Sequence, residues 1–328
     1  MTKDAVLQLL RAHEGAYISG AELAKQLSLS RTAVWKAIGQ LKAEGYCIDS
    51  VTNRGYRLLV RGDVLSVESV RRYLRHREIT PEVYKTISST NTVLKARAAE
   101  GAEEGLALIA GEQTAGRGRM GRSFYSPADS GLYMSLLLRP RIAAREATGL
   151  TACAAVAVAE TIEALSGRAA QIKWVNDVLL DGRKVCGILS EASLDCESGE
   201  LAYVIVGIGI NAVRPAESFP EELRQIAGAV FERAEIPELR ARLAAGVLDR
   251  LMDYAAAPNS EHCFVAYRSR SLVLGKPVKL LIPGREPECA EALALNRDYS
   301  LQVRLPDGSE RAVSSGEVSV RVRPDGCL

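Results

Sequence analysis

Seven residues, Gly116-Arg117-Gly118-Arg119-Met120-Gly121-Arg122, interleave three glycines with three arginines. Neither a regular helix nor a strand tolerates that glycine density, so the stretch is a loop. Glycine lets the backbone turn tightly and approach a ligand, and arginine brings a permanent charge on a planar fork of donors suited to phosphate or carboxylate. The spelling is also G-x-G-x-x-G, which signals a dinucleotide site only after a strand and at a helix start. Here a polar lead-in, Gly111-Glu112-Gln113-Thr114-Ala115, precedes it, and Ser123-Phe124-Tyr125-Ser126-Pro127 follows. Proline disfavours the α region for the residue before it, so this is a poor helix opening and the context argues against a Rossmann reading. An anion-closing loop, a solvated basic turn and an RGG-like nucleic-acid contact all remain open on these residues alone.

The chain of 328 residues has room for two or three domains, and its net charge of +2 gives no global nucleic-acid signature. The sequence suggests no membrane span and no signal peptide. Cysteines stand singly at Cys47, Cys153, Cys186, Cys196, Cys263, Cys289 and Cys327, with no C-x-x-C pair. No zinc cluster or disulfide framework is expected, and a reducing cytoplasm fits.

The first sixty residues predict a separate small domain. Val6, Leu9 and Leu10 mark one helical face; Ser19-Gly20-Ala21-Glu22 reads as a capping box; Leu23 and Leu27 line the helix behind it. After a short turn, Ser30 caps a third helix from Arg31 to about Glu44, stopped by Gly45. Its inner face is Val34, Ala37, Ile38 and Leu41. Two β-like runs, Tyr46–Ser50 and Gly55–Val60, flank Val51-Thr52-Asn53-Arg54. This is the winged helix-turn-helix order. Nine Lys/Arg against five Asp/Glu in residues 1–61 suit DNA. Ser30, Arg31, Thr32, Trp35 and Lys36 are the candidate DNA contacts on the third helix, with Arg54 at the wing tip. A protein-interaction module with a solvated face is the alternative.

Arg61-Gly62-Asp63 reads as a linker. Beyond it, helical and strand-like segments alternate. Ser88-Ser89-Thr90-Asn91 caps a helix over Val93–Glu100; Leu106–Ala110 and Leu132–Leu138 read as strands; Thr151–Leu165 is a long helix ending at Gly167. In Lys173-Trp174-Val175-Asn176-Asp177-Val178 a strand bends at Asn176-Asp177. Asp181-Gly182 signals a hairpin between Val178–Leu180 and Lys184–Leu189. Gly187, three residues after Lys184, could admit a ligand. Leu201–Val206 reads as an apolar strand ending in Gly207-Ile208-Gly209-Ile210-Asn211. Together these place arginines, a lysine, an aspartate and asparagines at strand ends and loops, as a ligand pocket needs. The last stretch, from Ser271, reads as the short strands Val278–Ile282, Glu288–Asn296, Ser300–Leu305 and Arg311–Val313, with turns at Pro283-Gly284 and Asp307-Gly308. Eight basic residues balance eight acidic ones there, so charge does not mark it for nucleic acid.

In order and spacing, Ser89-Thr90-Asn91, the arginine loop, Lys173-Trp174-Val175-Asn176-Asp177, Lys184-Val185-Cys186-Gly187-Ile188-Leu189 and Gly207-Ile208-Gly209-Ile210-Asn211 resemble the biotin–protein ligase family. Ser30–Lys36 resembles the DNA-reading helix of its bifunctional members, the biotin operon repressors, and Gly316-Glu317-Val318-Ser319-Val320-Arg321 resembles the close of their small barrel. Lipoate ligases share the fold but not these motifs. The resemblance implies a multidomain α+β protein: a winged helix-turn-helix (1–62), a central α/β ligase domain of the biotin/lipoate type (63–270) and an SH3-like β-barrel (271–328) covering the ATP site. It implies that biotin and ATP give biotinyl-5′-AMP, with Mg²⁺ on the phosphates, and that biotin then passes to a lysine of a biotin carboxyl carrier protein.

The same resemblance implies Lys184, Arg117 and Arg119 as catalytic. It places biotin against Ser89, Thr90, Asn91, Gln113, Arg117, Gly118, Arg119, Asp177, Lys184, Gly187 and Gly207, and the nucleotide against Arg119, Arg122, Phe124, Asn176 and Asn211. No metal-ligating protein cluster is implied. Operator DNA is a partner, and loading with the adenylate promotes a homodimer; no membrane is involved. Two departures stand out. Val175 replaces a frequent proline, and Phe124 a frequent tryptophan that would cover adenine. A winged helix fused to a sensor that no longer catalyses, and a ligase that has lost DNA binding, remain the alternatives.

Overall fold

Alternation along the central strands decides which side of the molecule can hold a ligand. The computed structural model describes the chain except residues 1, 14, 44–45, 60–62, 144–145, 195–200, 283, 285, 315 and 320–328. The N-terminal elements are helices α1 (Thr2–Ala12), α2 (Gly20–Gln26) and α3 (Arg31–Ala43) and the antiparallel strands β1 (Ile48–Val51) and β2 (Gly55–Leu58). They enclose their own core, which includes Leu10, Leu23, Val34, Ile38 and Leu41. Helix, helix, turn, helix and wing are as expected. Ser19 accepts from the Glu22 N–H at 3.0 Å and Ser30 from Ala33 at 3.1 Å. The predicted capping box is only half formed, because the Glu22 carboxylate accepts from Gln26 instead. Gly45, Val60, Arg61 and Gly62 lie outside the described residues.

The central region follows with α4 (Val67–Tyr73), β3 (Thr80–Tyr84), α5 (Thr90–Ala99), β4 (Leu106–Ala110), β5 (Gly131–Leu138), α6 (Ala147–Ser166), β6 (Gln171–Lys173), β7 (Asp177–Leu180), β8 (Arg183–Leu194), β9 (Leu201–Asn211), α7 (Leu239–Ala255) and α8 (Glu261–Ser269). Its seven strands form one sheet in the order β3-β4-β5-β9-β8-β7-β6, antiparallel except for the β3–β4 pair. Helices α6 and α7 cover one face and α5 the other. Strand residues alternate between those faces. In β9, Val204, Val206, Ile208 and Ile210 enter the α6–α7 core. Tyr203 and Ile205 pack under α5, and Gly207 and Gly209 continue that second row. The glycines predicted to end the strand therefore lie within it.

Five further strands, β10 (Lys276–Leu281), β11 (Glu288–Leu295), β12 (Leu301–Arg304), β13 (Glu310–Val313) and β14 (Glu317–Ser319), form an antiparallel sheet in the order β13-β12-β11-β10-β14. This is the small β domain expected at the C-terminus. Val320 and Arg321 lie outside the described residues. Asp181 and Gly182 both take positive φ, 48° and 74°, as a two-residue hairpin requires.

Helix α6 is long and apolar enough to cross a membrane by length and composition alone. Two thirds of it is buried in the protein, where it supplies the centre of the core. Cys47, Cys153, Cys186 and Cys263 are free thiols, but Cys289 is disulfide-bonded, which the picture of unpaired cysteines did not include.

Candidate active site

Register assembles the floor of the site. Gly187 on β8 lies opposite Gly209 on β9, and Gly209 opposite Tyr133 on β5; Leu189 and Ser135 flank Gly207 in the same way. Cross-strand partners share a face, so the three glycines clear one patch of sheet beneath the N-terminus of α5. The Phe124 ring rests on Gly187 and Gly209, where any Cβ would meet it.

Lys184 reaches this patch through an irregularity. Residues three apart on a regular strand point to opposite faces. Against β7, however, Val178 pairs with Cys186 and Leu179 with Lys184, so Val185 is an extra residue in β8. Such a bulge re-aims a side chain. Lys184 thereby joins Gly187 on the ligand face, while Cys186 turns into the core.

The arginine loop follows β4 and contains a single 3-10 turn, Arg119–Gly121. It opens no α-helix, in line with the context that argued against a Rossmann site. Gly116 is tightly packed against the Phe124 carbonyl and Ser126, so its missing side chain, not a positive φ, is what the loop uses. The arginines diverge. Arg117 pairs with Glu191 at 3.1 Å, Arg119 donates to Asn176 Oδ1 at 2.9 Å, and Arg122 reaches Glu317 on β14 at 2.7 Å.

Two cavities meet here. The smaller is lined by Ser89, Thr90, Asn91, Gln113, Arg117, Gly118, Arg119, Phe124, Asn176, Lys184, Gly187 and Gly207. The larger is lined by Arg119, Arg122, Phe124, Asn176, Asp177, Lys184 and Asn211, together with Lys173, Trp174, Phe219 and the β14 residues Glu317–Ser319. Every candidate ligase residue lies on one or both. Asp177, expected beside biotin, lines the larger cavity instead of the smaller. Its Oδ1 lies 2.7 Å from the Lys184 ammonium, yet this buried oxygen accepts no aligned hydrogen bond. Val175 follows a cis peptide bond.

Buried polar groups fix the small cavity. Gln113 Oε1 accepts from the Thr90 N–H at 2.9 Å. Ser135, fully buried, donates towards Thr90 Oγ1 and Asn91 Oδ1. Asn91 Nδ2 donates to Leu189 O and Glu191. Sequence reasoning missed Ser135 and Glu191, as well as Lys173 and Glu317. Only Lys173 and Glu317 had a visible signal, because both stand inside quoted motifs. Cys186 borders the larger cavity, but burial pushes its thiol up, so it stays protonated and is no nucleophile.

The candidate DNA contacts form a separate group. Ser30, Arg31, Thr32, Trp35 and Lys36 are exposed on and just before α3, Trp35 at 66%. Arg54, between β1 and β2, stacks over the Tyr17 ring at 4.4 Å.

Residues 83–211 match the biotin/lipoate A/B protein ligase family and residues 2–57 an HTH domain. The bifunctional ligase/repressor BirA of Bacillus spizizenii is 41% identical over 229 residues, 69% of this chain and 70% of that protein. The BirA of Escherichia coli is 30% identical over 315 residues, 94% of each chain. The structure of the Aquifex aeolicus biotin protein ligase, in complex with biotin and ATP, superposes with a TM-score of 0.59 at 28% identity, covering 74% of this chain and 98% of that one. The chain belongs to the bifunctional ligase/repressor BirA family.

Proposed function

We propose that this protein joins biotin to ATP as biotinyl-5′-AMP, transfers biotin to a lysine of a biotin carboxyl carrier protein, and represses biotin genes when loaded with the adenylate. One observation carries the reading: Lys184 and Arg119 line both cavities. A carboxylate in the smaller cavity and an α-phosphate in the larger would meet between them. The two anions repel, and fixed cations at their junction lower the barrier to approach. A biotin carboxylate oxygen attacks the α-phosphorus; the bond to the bridging oxygen breaks and its electron pair leaves with pyrophosphate. The carrier amine then attacks the acyl carbon, and AMP departs as the amine loses a proton.

Biotin's ureido ring is uncharged and needs donors and acceptors, which Ser89, Thr90, Asn91 and Gln113 provide. Its acyl chain would lie on the floor cleared by Gly187 and Gly207, and Phe124, whose ring rests on Gly187 and Gly209, would cover adenine beside Asn176 and Asn211. Arg117 and Gly118 close the biotin side and Arg122 the nucleotide side.

The larger cavity offers two carboxylates, Asp177 and Glu317, each beside a cation, and no cluster of three ligating side chains occurs among the described residues. That donor set suits Mg²⁺ carried mainly by phosphate and water, supplying charge neutralisation when bound. We divide the chain at 62/63 and 270/271 and place it in the cytoplasm. Two winged helices of an adenylate-loaded homodimer would meet two operator half-sites through Ser30, Arg31, Thr32, Trp35, Lys36 and Arg54.

The test is incubation with ATP, labelled biotin and a biotin carrier domain. Label appears on the carrier, and Lys184→Ala lowers its rate by about a hundredfold. Absence of adenylate from the unaltered chain would leave a sensor in place of an enzyme. Sedimentation with and without biotinyl-5′-AMP tests the dimer.

A further inference from the structure

We propose that Lys173 binds the β- and γ-phosphates of ATP and holds the pyrophosphate leaving group, an assignment that rests on the ligase reading above. The argument is a charge inventory. Four cations line the larger cavity: Arg119, Arg122, Lys173 and Lys184. Arg122 is paired with Glu317 and Lys184 with Asp177. Arg119 donates to a neutral amide. Lys173 has no carboxylate or hydrogen-bond partner among the described residues. A triphosphate entering this cavity meets two cations whose charge is already offset and two whose charge is not.

Position separates the two free cations. Arg119 stands at the junction and lines both cavities, whereas Lys173 is absent from the smaller one. It also lines a side branch shared with Asp177, Lys184, Ile226 and Ser319. Lys173 therefore stands away from the biotin carboxylate, and with adenine assigned to Phe124, Asn176 and Asn211 the part of the nucleotide left for it is the β- and γ-phosphates, the leaving group. The fold holds it there. Lys173 ends β6 directly across from Asp177 on β7, so both side chains stand on one face. Its neighbours Ile172 and Trp174 are buried, and the Trp174 indole N–H donates to Tyr299 O at 2.8 Å. When the α-phosphorus–oxygen bond breaks, the electron pair settles on pyrophosphate, and an ammonium beside it stabilises that charge.

The two half-reactions read this directly, because β- and γ-phosphates exist only in the first. With Lys173→Gln, adenylate formation at subsaturating ATP falls about tenfold to a hundredfold, as loss of a charged contact implies. The inhibition constant for added pyrophosphate rises by a similar factor. Transfer from preformed biotinyl-5′-AMP to a carrier domain stays within about twofold of the parent, because the lost contact is absent from that step. Lys173→Arg, which keeps the charge, recovers part of the first step and guards against a fold defect in the glutamine variant. Equal losses in both half-reactions by both variants, or an unchanged first step, overturn the assignment while leaving the ligase reading intact. A parent chain that makes no adenylate overturns both.

Discussion

A methyl group at Gly207 would collide with the Asn91 amide. Asn91 cannot step aside cheaply, since it is buried, accepts from Ser135 at 2.6 Å and donates to Leu189 and Glu191. Gly207→Ala is therefore expected to cost about 1–3 kcal/mol, the usual penalty of overpacking, and to weaken biotin binding through the displaced amide. Adding Asn91→Ala in the same chain should return part of the stability but none of the binding. Thermal melts and biotin titrations check this; a Gly207→Ala chain as stable as the parent would show that Asn91 is not held. The sequence pointed to Asn91 through its capping cluster and to Gly207 as a missing side chain. It could not pair them, because a separation of 116 residues hides the contact and only sheet register reveals it. Ser135 was silent for a related reason: one hydroxyl in an apolar strand carries no mark of which face it occupies.

At the scale of elements, the connection from α4 to β3 is clamped onto α7. The N–H groups of Arg75 and His76 donate to the buried Asp249 carboxylate. The His76 ring lies 2.8 Å from Asp253 and 2.6 Å from Glu78, and Arg75 also pairs with Asp253. Hydrogen bonds to Asp253 and then Glu78 push the imidazole up. Glu78 is held down by its own backbone N–H and then His76; on Asp253, bonds from His76 and Arg75 outweigh the upward push of burial. The histidine contribution is complete below its unfolded value, about 6.5, and fades as pH rises through the higher native value. The carboxylate contributions are present above their unfolded values, about 4, and fade as pH falls through the lower native ones. Raising pH from about 6 to 9 should therefore lower the Tm of the parent by a few degrees at most, the scale of exposed pairs. His76→Gln should flatten that slope, and equal slopes in the two chains would exclude the clamp. Elements of this kind were legible where period and punctuation agreed: β4 occupies the predicted residues, and α6 stops at Gly167 in a left-handed conformation. They were misread where glycine in mid-strand looked like an ending, as in β9, and the β8 bulge had no sequence signal because Val185 suits a regular strand equally well.

The whole molecule is tied together where the chain leaves the winged helix. Asp63, called a linker residue from sequence, accepts from the Arg240 backbone N–H at 2.9 Å and from its Nε at 2.7 Å, while Arg240 also donates to the Asp63 carbonyl. Both side chains are nearly buried, at 9% and 12% exposure. Close by in the chain, Glu238 receives Arg11 of α1 as well as Arg72 and Tyr73 of α4, and it does so from a left-handed backbone, φ 52°, that an L-residue adopts at a cost of about 1–2 kcal/mol. The order of the three regions was legible because each carries its own pattern. These ties were not, since their partners stand 177 and 227 residues apart. The two ties should respond differently. Removing Arg11 leaves Glu238 with two donors, whereas Asp63→Asn leaves a buried guanidinium without a counter-charge, which costs about 3–5 kcal/mol. Denaturant melts should show the larger loss for Asp63→Asn than for Arg11→Ala, and limited proteolysis should release residues 1–62 faster from the former. Equal stability of the two variants would mean that the Asp63–Arg240 pair is exchanged for water at no cost and does not anchor the winged helix to the rest of the chain.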